Sequence, residues 1–379
     1  MGRRKKEIMI NNNKEIDIIQ VVQHLNPGGL EVMALNLLDT YPDPKKVMIV
    51  SLEGDKDSTL RRWKRLNAYK DSIVFLNKKS GICINSFFKL TVLFLKYRPK
   101  AIHTHHIGPL FYAGWAAKIL GVKNIVHTEH DAWYLSDPKA QKLQNKLIQS
   151  IRPKLVAVSS IVAQQLENKC QNYKISIIPN GIDMNNFKPM PKPISRKLLG
   201  LPLNKHLIGT AGRLVTVKGH RYLIESLKHL STDIHLAIAG DGELREELED
   251  LTRLLNLDRR VHFLGHTDDM KVFYNAIDIF CLPSLNEGLP LTLLEAQSCN
   301  TPCISSDVGG CHEVISKKSG FLTTPRDVKH LYTKISEAFT EMHNFQPRNF
   351  VREYGDLHKM ALAYFDLYQN QQCKKMGEI

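Results

Sequence analysis

Short apolar runs rich in Val and Ile alternate along almost the whole chain with stretches whose apolar positions recur at helical spacing. In the first half the runs predict strands at Asp17–Gln23, Lys46–Leu52, Ser72–Leu76, Ala101–Thr104, Asn124–Thr128, Lys154–Val158 and Ile175–Ile178. In the second half they predict His206–Gly212, His235–Ala239, Val261–Leu264, Ile277–Leu282 and Thr301–Ser305. Helical patterns fill the gaps, among them Gly219–Leu230, Glu243–Leu255, Leu291–Ser298 and Asp327–Thr340. This alternation marks parallel βαβ units, so the expected class is α/β with two doubly wound, Rossmann-like sheets in succession. Pro189, Pro191, Pro193 and Pro202 place the link between them near Asn185–Pro202. The division that follows is a basic tail at 1–16, an N-terminal domain at 17–188, a C-terminal domain at 189–347 and a closing segment at 348–379. Doubly wound folds bind ligands beyond the carboxyl ends of their strands, and two of them face to face enclose a cleft.

Composition agrees with two globular domains: 379 residues, 43% of them hydrophobic. No apolar run reaches the roughly 18 residues of a membrane-spanning helix. The start Met1–Glu7 is basic without the apolar stretch of a signal peptide, and Lys6 spoils the myristoylation motif that Gly2 would open. Seven Cys in a chain of this length are no disulfide framework, and Cys299, Cys303, Cys311 and His312 match no zinc spacing. The expectation is a reducing cytoplasm and no metal. Charge changes the picture more. Residues 1–190 hold 29 Lys and Arg against 15 Asp and Glu, whereas 191–379 hold 23 of each, so the whole net +14 sits in the first half. Such asymmetry points to an anionic partner for that half.

The candidate chemistry centres on Asn286–Ala296, where Glu287 lies in a Gly/Pro turn and Glu295 on the helix expected after Pro290. Eight residues of helix span at most about 12 Å, too far for two carboxylates to share one metal or proton, but suited to gripping two ends of an extended ligand. Strand His206–Gly212 runs into Arg213 and Lys218 just before a helix. Two cations beside a helix N-terminus suit a diphosphate, Arg213 as a fork and Lys218 as a point charge. No GxGxxG is complete, because Gly240 and Gly242 are followed by Arg245. The Asn26–Glu31 turn carries Gly28 and Gly29, where the backbone can approach a ligand closely. Histidines cluster at His103, His105 and His106 and again at His127 and His130. Within Thr59–Lys70, Leu60, Trp63 and Leu66 recur at helical spacing beside Arg61, Arg62, Lys64 and Arg65, a pattern that suits an anionic lipid surface.

Glu287-Gly288-Leu289-Pro290 with Glu295 eight residues after the first acid resembles the signature of retaining GT-B glycosyltransferases of family 4, the glycosyl transferases group 1. The resemblance covers roughly residues 17–370. It implies a metal-independent, retaining hexosyltransferase that uses a nucleotide diphosphate sugar, UDP favoured, and no cofactor. Arg213 and Lys218 would neutralise the leaving diphosphate. Glu287 would hold the sugar hydroxyls, with Gly288, Leu289 and Pro290 lining the donor, and Glu295 would hold the ribose. The Gly28–Gly29 loop would offer backbone donors to the phosphate, and the loop with Gly265 and Thr267 would meet the base through backbone atoms. His130 would support positive charge at the anomeric carbon, and His105 would shape the acceptor side of the cleft. The stretch Arg348–Gln369 would cross back onto the N-terminal domain. The implied acceptor is a lipid-linked, lipopolysaccharide or other cell-surface glycan, met at the inner face of the membrane. A GT-B epimerase or phosphorylase is the rival within enzymes. A basic nucleic-acid-binding protein is the rival outside them, but no RNP, KH or helix-turn-helix pattern is present and no nucleic-acid partner is expected.

Overall fold

The computed structural model describes residues 15–169, 173–267 and 269–369. Most of the basic tail at 1–16 and the end of the closing segment, 370–379, lie outside them. The first sheet holds β1 (Ile18–Val22), β2 (Val47–Ser51), β3 (Ile73–Phe75), β4 (Ala101–His105), β5 (Asn124–Glu129), β6 (Lys154–Ala157) and β7 (Ile175–Ile177). All pairings are parallel, in the order β3-β2-β1-β4-β5-β6-β7. The second sheet holds β8 (His206–Ala211), β9 (Ile234–Ala239), β10 (Val261–Gly265), β11 (Ile279–Leu282), β12 (Cys303–Ser306) and β13 (Gly320–Thr323), again parallel, in the order β10-β9-β8-β11-β12-β13. In both sheets the order reverses beside the first strand, which opens the crevice where doubly wound folds bind ligands.

Both faces of each sheet are covered, which is why the strands read as unbroken apolar runs. On the N-terminal sheet one face packs Ile18, Val22, Ile49 and Val126 against the helix Gly29–Thr40 and the C-terminal helix Leu357–Tyr368. The opposite face packs Ile19, Val50, Ile102 and Ile125 under the helices Ile84–Tyr97, Trp115–Ile119 and Pro138–Ile151.

Four local departures from the sequence reading have physical causes. Strand β13 is an extra, four-residue edge strand too short to leave a periodic signal. The stretch 348–369 is two helices, Pro347–Tyr354 and Leu357–Tyr368, because Asp356 caps a fresh start by accepting from the Lys359 amide. Between them the chain re-crosses to the first domain, with Ile182 N–H donating to Gly355 at 2.8 Å. The Pro-rich segment 189–202 is not bare linker: it forms the helix Lys192–Leu198, whose buried Arg196 donates to the Ala276 carbonyl and pairs with Asp278. Finally, the basic amphipathic helix expected over Thr59–Lys70 breaks at Trp63, between the helix Lys56–Arg62 and a 3-10 stretch Lys64–Tyr69. Trp63 and Leu66 are buried in the core beside the helix Gly29–Thr40. Trp63 is therefore a core residue and not a membrane contact; its helical spacing reported burial in the protein.

Candidate active site

The carboxyl ends of the two sheets face each other, and the functional candidates of the second domain sit on loops leaving such an end, except Glu295, which lies on a helix. After β8 the chain passes Arg213, turns through a 3-10 stretch at Thr216–Lys218 and enters the helix His220–Leu227. Gly219 makes that entry possible. Its φ is +66°, and a β-carbon there would lie 2.1 Å from the Pro283 carbonyl oxygen. The β11 loop is tied to the same turn by Leu285 N–H donating to Val217 at 2.7 Å.

These constraints bring Lys218 and Glu287 together. Lys218 Nζ donates to Glu287 Oε1 at 2.6 Å, and Ser284 Oγ donates to the same oxygen at 2.6 Å. Arg213 is exposed on the neighbouring loop and makes no side-chain hydrogen bond or ion pair among the described residues. The site thus offers one committed cation and one uncommitted cation at a strand end. Gly265 and Thr267 lie on the same rim, where the Gly265 carbonyl accepts from Gly240 N–H at 2.7 Å.

Leu289 and Pro290 are buried, and Pro290 is the residue before the helix Leu291–Ser298. Glu295 lies on that helix, buried, with Oε2 accepting from Tyr274 Oη at 2.7 Å. Burial pushes its carboxyl pKa up, and the Tyr274 hydrogen bond opposes that shift.

The first domain supplies the other wall. Gly28 precedes the helix Gly29–Thr40, and a β-carbon at Gly29 would lie 3.6 Å from Leu291 Cδ1 across the cleft. His130 follows β5. Its ring joins His105 at 3.0 Å, and a β-carbon placed on Gly288 would lie only 1.8 Å from its carbonyl oxygen. Burial drives the pKa values of His103, His105 and His130 well below the ordinary histidine value, helped by the neighbouring rings, so these imidazoles are neutral at physiological pH.

Below them lies a network the sequence did not disclose. His127 Nε2 meets Glu129 Oε1 at 2.7 Å, Tyr134 Oη donates to that oxygen at 2.8 Å, and His106 Nδ1 meets Glu129 Oε2 at 3.3 Å. Burial alone would lower the His106 pKa, but the hydrogen bond to Glu129 and the negative charges of Glu129, Asp131 and Glu31 together outweigh it and raise the pKa. His103 in turn binds Tyr368 Oη at 2.7 Å and Thr128 Oγ1 at 2.8 Å, tying the C-terminal helix to the floor of the cleft. The only sequence sign of this was the density of His and Glu at two strand ends.

The domains are also latched. Glu313 Oε1 accepts from Ser160 N–H and Ser160 Oγ, both at 2.8 Å, and so caps the helix Ser160–Lys169 of the other domain. Asn180 Nδ2 donates to the Leu289 carbonyl at 3.0 Å. Of the basic quartet, Arg62 bonds Asn26 and Arg65 bonds Asn36, while Arg61 and Lys64 are exposed. None of the four reaches Glu287.

Residues 27–186 match the model of glycosyltransferase family 4, and residues 191–355 match that of glycosyl transferases group 1. The chain is 32% identical over 261 residues to the Escherichia coli UDP-Gal:alpha-D-GlcNAc-diphosphoundecaprenol alpha-1,3-galactosyltransferase, covering 65% of this chain and 67% of that one. It is 27% identical over 317 residues to the putative glycosyltransferase EpsF of Bacillus subtilis, covering 78% and 80%. Among solved structures, Anabaena HepE in complex with UDP-glucose superposes with a TM-score of 0.82 at 20% identity, over 94% of this chain and all of that one. The chain belongs to the group 1 glycosyl transferases and is a glycosyltransferase of GT-B fold.

Proposed function

We propose that the protein moves a hexosyl unit from a UDP-sugar to a hydroxyl of a lipid-linked glycan, with retention at the anomeric carbon and without a metal ion. The observation that carries this reading is the Lys218–Glu287 pair with Arg213 beside it at the strand ends of the second domain. A diphosphate draws Lys218 and Arg213 to its oxygens, and cations placed where leaving-group charge develops stabilise it by about 3–4 kcal/mol each. Lys218 moving to phosphate releases Glu287 toward the sugar hydroxyls, where its charge favours an oxocarbenium-like state. The neutral His130 adds no positive charge against that state, and its carbonyl faces the same gap. The leaving diphosphate oxygen takes the acceptor proton on the same face. Glu295 holds the ribose. Two of the similar proteins support the substrate classes: one relative is a UDP-Gal:alpha-D-GlcNAc-diphosphoundecaprenol galactosyltransferase, and HepE was solved with UDP-glucose.

The test is nucleotide release from a panel of UDP- and GDP-sugars in excess EDTA. UDP release from one UDP-hexose, reduced at least about tenfold (roughly 1.4 kcal/mol of barrier) in Arg213→Ala and Lys218→Ala, is the expected result. Loss of activity in EDTA, restored by magnesium or manganese, refutes the metal-free part. Preference for a GDP-sugar refutes the donor.

A further inference from the structure

The helix layer on the outer face of the N-terminal sheet lacks the carboxylates that a solvated surface normally carries. No Asp or Glu occurs between Asp71 and Glu129, a stretch that holds eight Lys and Arg, nor anywhere in the helix Pro138–Ile151. On the helix Ile84–Tyr97 the outward positions are also apolar: Ile84 is 68% exposed, Phe88 58%, Val92 64% and Leu95 56%. At about 100° per residue these four fall within an arc of roughly 80°. Lys89 and Lys96, both exposed, flank that arc on one side. The opposite side of the helix is satisfied, with Leu90 and Phe94 buried in the core. The neighbouring helices of the layer continue the pattern with Ile119, Lys118, Leu143 and Lys142.

We infer that this face docks on an anionic bilayer, with Ile84, Phe88, Val92 and Leu95 entering the headgroup–acyl boundary and the surrounding lysines meeting lipid phosphates. Charge decides the occupant. A second copy would set two cationic, carboxylate-free faces against each other, because a two-fold contact repeats the same patch on both sides. An anionic leaflet instead complements both the apolar arc and its basic margin. Among the described residues no helix is long and apolar enough to cross a membrane, so this attachment is peripheral. The helix begins shortly after the carboxyl end of β3, the sheet edge that also faces the cleft, so docking here brings the cleft mouth close to the leaflet. The inference goes with the lipid-linked acceptor of the proposed function, yet it is measured without donor or acceptor and stands or falls separately.

The experiment is sedimentation of the full chain with phosphatidylglycerol–phosphatidylcholine vesicles and with pure phosphatidylcholine vesicles, at low and high salt. Binding to the mixed vesicles only, lost at high salt, is expected. The surface variant Phe88→Ser with Val92→Ser should bind about tenfold more weakly or worse, as should Lys89→Glu with Lys96→Glu. Neutralising Arg61, Arg62, Lys64 and Arg65, which lie over the other face of the sheet, should change binding far less. A Phe88→Trp variant should show a blue-shifted increment of emission on the mixed vesicles. Equal binding by wild type and both double variants overturns the inference, as does concentration-dependent self-association that Phe88→Ser with Val92→Ser abolishes. Unaltered UDP release in variants that no longer bind vesicles leaves the transferase reading intact.

Discussion

The carbonyl oxygen of His130 lies directly over the α-carbon of Gly288, so closely that a β-carbon there would come within 1.8 Å of it. The contact joins the two domains at the point where the Glu287 loop meets the strand-end histidine. Gly288→Ala must therefore push the His130 loop and the Glu287 loop apart, because the obstructing atom is backbone and cannot rotate away. A displacement near 1 Å at a reacting centre costs up to about a hundredfold in rate. The expected result is a loss of turnover of roughly tenfold to a hundredfold with the sheets intact, read as kcat beside an unchanged far-UV spectrum. Wild-type kcat in a folded Gly288→Ala protein would show that this contact does not set the cleft.

The Glu313–Ser160 contact makes a separate prediction about how the halves are held. Glu313 caps a helix of the other domain through two amides and a hydroxyl, so its loss removes a helix cap and an interdomain tie together. Glu313→Ala should lower stability by about 1–2 kcal/mol, and Ser160→Ala should remove part of the same energy. A double-mutant cycle by denaturant melts checks this. Additive single effects would mean that the two residues act independently.

Acid should destabilise the protein beyond what exposed groups account for. His103, His105 and His130 have folded pKa values far below the unfolded value, and His220 is brought down to about 4 by burial and Lys218. Between about pH 6.5 and these folded values the unfolded chain binds more protons than the folded one, so stability falls as pH falls through that window. Each such histidine contributes up to about 1.4 kcal/mol per pH unit inside its window. His106, whose pKa is raised, works in the opposite sense: its contribution is present below about 6.5 and disappears as pH rises through its folded value. Three strongly depressed groups outweigh it. Melting temperature should drop steadily from pH 7 to pH 5, and replacing His103 by Gln should flatten the slope. A flat profile would contradict the neutral, buried assignment.

Much of the fold was legible because parallel strands buried on both faces read as plain apolar runs, and twelve of them stood out. Strand β13 did not, since an edge strand of four residues carries too little pattern. The residues around Glu287 were findable because the turn chemistry of Gly288 and Pro290 marks a loop between a strand and a helix. The partners of the acids were not. Ser284 reaches Glu287 from three residues away, but Tyr274 reaches Glu295 from another helix, and Glu313 reaches Ser160 across the domain boundary. Such contacts depend on tertiary placement, which periodicity does not encode. Trp63 shows the opposite failure: an apolar stripe flanked by arginines looks the same whether it faces lipid or the protein's own core.

The most direct test of the central claim is the anomeric configuration of the product formed in excess EDTA. Wild type and Glu287→Ala are incubated with an α-linked UDP-hexose and a GlcNAc-diphosphate lipid, and the new linkage is read from its anomeric proton coupling by NMR. The account predicts an α-linked product from the wild type and at least about tenfold less of it from a folded Glu287→Ala protein. A β-linked product, or full activity without Glu287, would contradict it.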